Sequence, residues 1–245
     1  MTDDRDQFRQ RNAEAIQNMG QDDDLQAATR TWFSRSFDYE YSYHFRWMGL
    51  PIIQYPQDIV AMQEIIWQVK PDLIIETGVA RGGSLVFYAS MLKMMGLEGQ
   101  VLGIDIDIRQ HNREAIEDHP MASDITLIEG SSTDDKVLEQ VQALVAGKQR
   151  VVVALDSLHT HDHVLRELEL YSPLVTPGSY LVVFDTVIEH LSASASDDRP
   201  WGLGNNPLTA LRVFLETSQD FEVDREMTDK LQITVAPDGY LKRIR

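Results

Sequence analysis

From residue 56 onward the sequence alternates between short apolar runs and stretches with helical spacing, and this rhythm restricts the fold more than any other feature. Residues 57–69 place Ile59, Val60, Met62, Ile65, Ile66 and Val69 on one helical face, and Pro71 stops that helix. Five apolar runs follow, at 73–75, 100–104, 125–128, 150–155 and 180–184. Helical stretches separate them, at 84–95, 109–117, 134–145 and 162–170. Apolar runs without polar alternation are strands covered on both faces, and strands alternating with helices pair in parallel. The expected fold is α/β, a Rossmann-like, doubly wound, mostly parallel sheet. After residue 206 the rhythm changes. A helix at 207–215 is followed by strands at 221–225 and 231–235, a Pro237-Asp238-Gly239 turn and a final strand at 240–244. These predict a C-terminal antiparallel hairpin closing the sheet edge.

Residues 1–45 stand apart as a helical and aromatic arm, leaving 46–245 as the Rossmann-like domain. The arm opens as a polar helix, and Asp22-Asp23-Asp24 reads as a turn or N-cap. Trp32, Phe33, Phe37, Tyr39, Tyr41, Tyr43, Phe45 and Trp47 then crowd together. Such a cluster either packs on the main domain or forms a lid or subunit contact beside a site. Residues 192–206, rich in Ser, Asp, Gly and Asn around a lone Trp201, read as a flexible loop.

Charge narrows the function. With 39 Asp plus Glu against 22 Lys plus Arg, the net charge is −17. So acidic a chain lacks the basic footprint of a nucleic-acid binder and does not suit an anionic membrane surface. No cysteine is present, which excludes a disulfide scaffold, a Cys-ligated metal and a thiol nucleophile. No run approaches ~18 apolar residues, and the polar opening lacks the apolar core of a signal peptide, so a cytoplasmic location is expected.

In open α/β sheets ligands bind beyond the carboxyl ends of the strands, so each strand end is one wall of a candidate site. The first strand runs into Glu76-Thr-Gly78-Val-Ala-Arg-Gly82-Gly83-Ser84. Glycines allow a tight turn into a helix, but this is not the dinucleotide fingerprint G-x-G-x-x-G. A carboxylate at Glu76 repels a pyrophosphate and suits a cationic amino-acid head. The second strand ends at Asp105, placed to accept hydrogen bonds from a ribose, with Asp107 as a near competitor. The third ends in Glu129-Gly130-Ser131-Ser132, able to flank a base. The fourth ends in Asp156-Ser-Leu-His159-Thr-His161-Asp162-His163 and the fifth at Asp185-Thr186. Asp156 and Asp185 would repel each other unless a cation sits between them, and few oxygen ligands plus water suit Mg²⁺. His161 and His163 read either as further metal ligands or, with Asp162 capping the next helix, as solvated side chains.

The ordered set Glu-x-Gly-x-x-x-Gly-Gly-Ser, Gly-Ile-Asp-x-Asp, Asp-x-x-His and a fifth strand ending in Asp resembles the cephalosporin hydroxylase-type family of Mg²⁺- and S-adenosylmethionine-dependent O-methyltransferases. That family includes macrolide-sugar and rhamnosyl O-methyltransferases, and the resemblance runs over residues 46–245. It implies a class I methyltransferase fold. Glu76, Gly78, Gly82 and Ser84 would hold the methionine end of the cofactor, Asp105 the ribose, and Ser131 or Ser132 the adenine. Asp156 and Asp185 would ligate Mg²⁺, and His159 would be the general base. Phe184 stands where related members often carry Glu, and Thr186 where catechol-type relatives carry Asn, so a third carboxylate or amide ligand is missing. The implied partners are a small hydroxyl acceptor, a sugar or other diol, and further copies of the chain. Two rival readings are an iron-dependent hydroxylase using Asp156, His159 and His161, and a non-catalytic S-adenosylmethionine-binding protein.

Overall fold

The structure, a computed structural model, describes residues 3–191 and 198–245. Two helices open the chain, α1 (Asp4–Gln21) and α2 (Asp23–Phe37), followed by a small hairpin of β1 (Arg46–Trp47) and β2 (Leu50–Pro51) and then α3 (Pro56–Val69). The alternating body is β3 (Leu73–Thr77), α4 (Gly83–Met94), β4 (Gln100–Asp105), α5 (Gln110–Glu117), β5 (Ile125–Glu129), α6 (Asp135–Val145), β6 (Val151–Leu155), α7 (His161–Tyr171) and β7 (Tyr180–Val183). The tail is α8 (Pro207–Thr217), β8 (Phe221–Val223), α9 (Arg225–Leu231) and β9 (Tyr240–Arg243).

Seven strands form one sheet in the order β5-β4-β3-β6-β7-β9-β8. The first five pair in parallel, and β9 inserts antiparallel between β7 and β8. The expected mostly parallel sheet with an antiparallel close is therefore present. Ile74, Val152 and Val182 pack in one apolar cluster, while their neighbours Ile75, Val153 and Val183 pack in another on the opposite face. That is the period-2 consequence of a sheet covered on both sides. Register brings Thr77 level with Ile104 and Leu155, and Leu155 level with Val183, so the parallel strands end along one rim. The chain starts at β3, winds out to β5, then crosses back to β6. The rim between β3 and β6 is thus the switch point where open sheets leave a crevice.

The tail departs from expectation at 231–235, which is not a strand. Asp224 accepts a hydrogen bond from Met227 N at 3.1 Å and starts α9, which runs to Leu231. Beyond it, Val235 N donates to the buried carboxylate of Asp58 at 3.0 Å, and the hydroxyls of Thr234 and Tyr240 donate to the same group. Side-chain capture replaces the ladder.

In the arm, Asp22 caps α2 by accepting from Leu25 N at 2.9 Å. α1 buries no residue, whereas Phe33 of α2 stacks on Tyr55 with ring centroids 4.8 Å apart. Positions 192–197 of the expected flexible loop lie outside the described residues. Residues 198–206 are tied down: Gly202 bridges Asn205, and Asn206 with Thr209 forms a capping box at the start of α8. Among the described residues no helix is long and apolar enough to cross a membrane.

Candidate active site

A cavity of about 690 Å³ opens over the rim, under a wall of arm residues including Phe33, Phe37, Tyr41 and Tyr43. Its floor begins at Gly78, whose φ of +94° lies in the left-handed region. A Cβ there would sit 2.0 Å from the carbonyl oxygen of Asp156. Only glycine lets the ends of β3 and β6 approach this closely. The turn then passes Gly82, the N-cap of α4, and puts Ser84 in that helix's first turn. The free N–H groups of α4 favour an anionic group at this end of the cavity.

Glu76 lies behind the wall rather than on it. Its side chain is fully buried and is absent from the cavity lining, accepting hydrogen bonds from Ser84 Oγ and from Tyr88 OH at 2.9 Å. Burial pushes its carboxyl up to about 7, against the pull of those two bonds. Ser84, which lines the cavity, is the hydroxyl through which Glu76 communicates with it. Asp105 lines the cavity while one carboxylate oxygen accepts from Val79 N at 2.8 Å and Ala80 N at 3.2 Å. It braces the glycine turn as well as facing the cavity. Asp107 is exposed, outside the lining, and lies 4.0 Å from Arg109. Ser131 and Ser132 line the next stretch, where Ser132 Oγ meets His163 Nε2 at 3.3 Å.

At the other end Asp156, His159 and Asp185 each offer one ligand atom, all within 4.8 Å of one another. Asp185 takes a left-handed φ of +57°, and its carboxylate lies 3.0 Å from His159 Nε2. Burial pushes the Asp156 carboxyl well up, and the charge of Asp185 adds to it. Burial pulls His159 down, but the Asp185 carboxylate outweighs it and the imidazole titrates above its usual range. Among the described residues no Lys or Arg forms an ion pair with Asp156 or Asp185. Two carboxylates and an imidazole converging with no Lys or Arg paired to either carboxylate fit a divalent cation. Phe184 is buried in the core and cannot contribute, and the group that the structure brings beside the two carboxylates is the His159 imidazole.

The neighbouring histidines have other work. His161 opens α7 with its N–H on Asn205 Oδ1 at 2.9 Å and its Nδ1 against Thr209 Oγ1 at 2.8 Å. Asp162 does not cap α7; the cap residue is Thr160. His163 meets Ser157 Oγ at 3.1 Å and the buried Glu167 at 3.5 Å. Neither imidazole is a solvated bystander, and the Asp156–His159–His161 triad of a hydroxylase is not assembled.

Spacing gave no hint of three further cavity residues. Gln54 donates from Nε2 to Asp156 Oδ2 at 3.0 Å. Trp201 stands edge-on to His159, with ring centroids 5.9 Å apart. Tyr55 closes the wall beside Phe33.

Comparison with known proteins identifies relatives of the whole α/β domain. The family model described as rhamnosyl O-methyltransferase/CmcI matches residues 39–244. The rhamnosyl O-methyltransferase of Mycobacterium bovis (strain BCG / Pasteur 1173P2) is 33% identical over 202 residues, covering 80% of this chain and 77% of the relative. That of Mycobacterium leprae is 33% identical over 201 residues, covering 80% and 82%. The solved structure of cmcI-D160 with Mg and SAM superposes with a TM-score of 0.59 at 21% identity, over 83% of this chain and 78% of that one.

Proposed function

The chain belongs to the rhamnosyl O-methyltransferase/CmcI family, and on that premise we propose that it transfers a methyl group from S-adenosylmethionine to a hydroxyl of a sugar or other diol-bearing small molecule, assisted by Mg²⁺. The observation that carries this reading is the convergence of Asp156, His159 and Asp185 in the same cavity as the glycine turn.

In this reading the turn at Gly78 and Gly82, with Ser84 and the N-terminus of α4, receives the amino-acid end of the cofactor. Glu76 acts through Ser84. Asp105 takes the ribose hydroxyls, since Asp107 does not reach the cavity, and Ser131 and Ser132 flank the adenine. Bound there, the sulfonium supplies an electrophilic methyl. Asp156 and Asp185 hold the cation, whose chemistry is to lower the pKa of an acceptor hydroxyl. The His159 imidazole would accept the proton that the hydroxyl releases, and the Asp185 carboxylate at its Nε2 would stabilise the imidazolium that forms. Tyr55, Phe33 and Trp201 present aromatic surface to the acceptor. Phe33, Phe37 and Tyr41 of the 1–45 arm, with Arg199 and Trp201, form a separate acceptor-side wall in this proposal. Exposed Tyr39, Tyr43 and Trp67 leave apolar surface for self-assembly, and we place the homo-oligomer in the cytoplasm.

The test is methyl transfer to rhamnosides and other vicinal diols, with and without EDTA and with His159→Ala. Transfer that depends on the chelated metal and on His159 is expected. Transfer indifferent to both would overturn the cation-and-base part of the reading while sparing the fold.

A further inference from the structure

Gln54 lies between β2 and α3, and its backbone is fixed on both sides. Ile52 N donates to Phe45 O at 3.1 Å, and the neighbouring Tyr55 ring is clamped by Phe33. The Gln54 side chain is 5% exposed and lines the cavity. The NH₂ end of the amide faces Asp156, donating from Nε2 to Oδ2 at 3.0 Å, the orientation that suits the acceptor-only carboxylate of a cation ligand. That leaves Oε1 buried and without a partner. Among the described residues three other buried side-chain oxygens share this condition, on Gln57, Thr77 and Glu167, and none of those residues lines the cavity. Of the donors beside Asp156, Ser157 Oγ is committed to Glu167 and His159 Nε2 is engaged with Asp185. The described residues supply no donor for Gln54 Oε1, and this side chain lines the cavity where a bound group can supply one. Mg²⁺ characteristically keeps several of its waters when bound by few carboxylates.

We propose that Gln54 is a positioning residue of the cation site: its NH₂ fixes Asp156 through Oδ2, leaving the other oxygen for the cation, and its Oε1 accepts a hydrogen bond from a water the cation retains. This rests on the cation reading above and extends it to a residue outside the motif set.

Mn²⁺ titrated into the full chain and followed by its EPR signal tests this without any acceptor. Gln54→Met keeps the length and removes both polar ends. It should weaken Mn²⁺ binding by about 10–100-fold, the usual effect of deleting an outer partner of a metal ligand. The affinity for S-adenosylhomocysteine should stay near wild type. The gain in melting temperature on adding Mn²⁺ should be smaller for Gln54→Met than for wild type. Gln54→Leu serves if the Met variant does not fold. Mn²⁺ affinity within about threefold of wild type, well inside the 10–100-fold expected, would overturn the inference and leave the cation reading standing. Equal loss of S-adenosylhomocysteine binding would assign Gln54 to general packing and also overturn it. Wild-type protein that binds no Mn²⁺ would overturn both.

Discussion

The two ends of the cavity are built on opposite principles. At the glycine-turn end the chain satisfies its own polar groups: Asp105 accepts from Val79 N and Ala80 N, and Glu76 accepts from Ser84 and Tyr88. These partners come from neighbouring turns of one β-α-β unit. At the Asp156 end, residues 54, 156, 159, 185 and 201 meet from distant parts of the chain, and two carboxylates face each other with a single amide donor between them and neutrality. Folding alone completes the first end. The second leaves a strongly perturbed buried carboxyl at Asp156 and an orphaned oxygen at Gln54, and such perturbed groups cluster at functional positions.

The sharpest way to break that contrast is to remove a carboxylate from the unfinished end. Asp156→Ala should lower methyl transfer by about 10²–10³-fold or more, the scale of losing one electrostatic stabiliser of a transition state. Because it also removes the repulsion between Asp156 and Asp185, the metal-free variant should not melt lower than wild type. S-adenosylhomocysteine binding, measured by calorimetry, should remain close to wild type. Cofactor affinity falling in step with activity would show that the two ends are one unit.

The next effect is on stability against pH. Burial raises Asp58 to about 6 and Glu76 to about 7. A carboxyl whose folded pKa lies above its unfolded value binds more protons when folded, so stability falls as pH rises between the two values. The metal-free protein should therefore melt higher near pH 5 than at pH 8, the reverse of the usual acid sensitivity. Each shift of two to three units is worth at most about 3–4 kcal/mol, or roughly 10 °C for a chain of this size. Glu76→Gln should flatten the upper part of the curve. Asp58→Asn should flatten the lower part, while weakening the fold by losing its three donors. Mg²⁺ should raise the melting temperature at pH 8 and much less at pH 5, by stabilising ionised Asp156. It should leave the Glu76 contribution in place. If Mg²⁺ abolished the whole pH dependence, the separation of the two ends would fail.

The same contrast explains what could be read from the sequence. The parallel strands, their common rim and the Gly78–Ser84 turn depend on local patterns, apolar runs and glycine placement, and these were legible. So was the pairing of Asp156 with Asp185, because adjacent strand ends in a parallel sheet must lie side by side. Gln54 was not, since nothing in its spacing says that a hairpin 102 residues from Asp156 folds back over it. The strand expected at 231–235 failed for a related reason. Its apolar pattern is real, but Asp58, far away on α3, captures the Val235 N–H that a ladder would have used. His161 and His163 stayed open between metal ligand and solvated side chain because their partners Thr209 and Ser132 come from other elements. Where a position is governed by a partner distant in sequence, local pattern carries no information about it.

Trp201 offers the smallest and most selective probe of the division. Its ring stands at 71° to the His159 imidazole, 5.9 Å between centroids, and Arg199 lies 5.7 Å over its face. An edge-to-face aromatic contact contributes about 0.5–1.5 kcal/mol beyond its buried area, a factor of roughly 2–12 in a binding constant. Trp201 touches the cavity from the acceptor side and shares no hydrogen bond with the glycine turn. Trp201→Ala should therefore raise KM for the acceptor by up to about tenfold, while KM for S-adenosylmethionine stays unchanged. Trp201→Phe, which keeps an aromatic edge, should recover most of the loss. If kcat falls with KM unchanged, the ring is orienting His159 rather than receiving the acceptor. If KM for the cofactor rises equally, the loop bearing Trp201 spans both ends and the boundary between them must be redrawn.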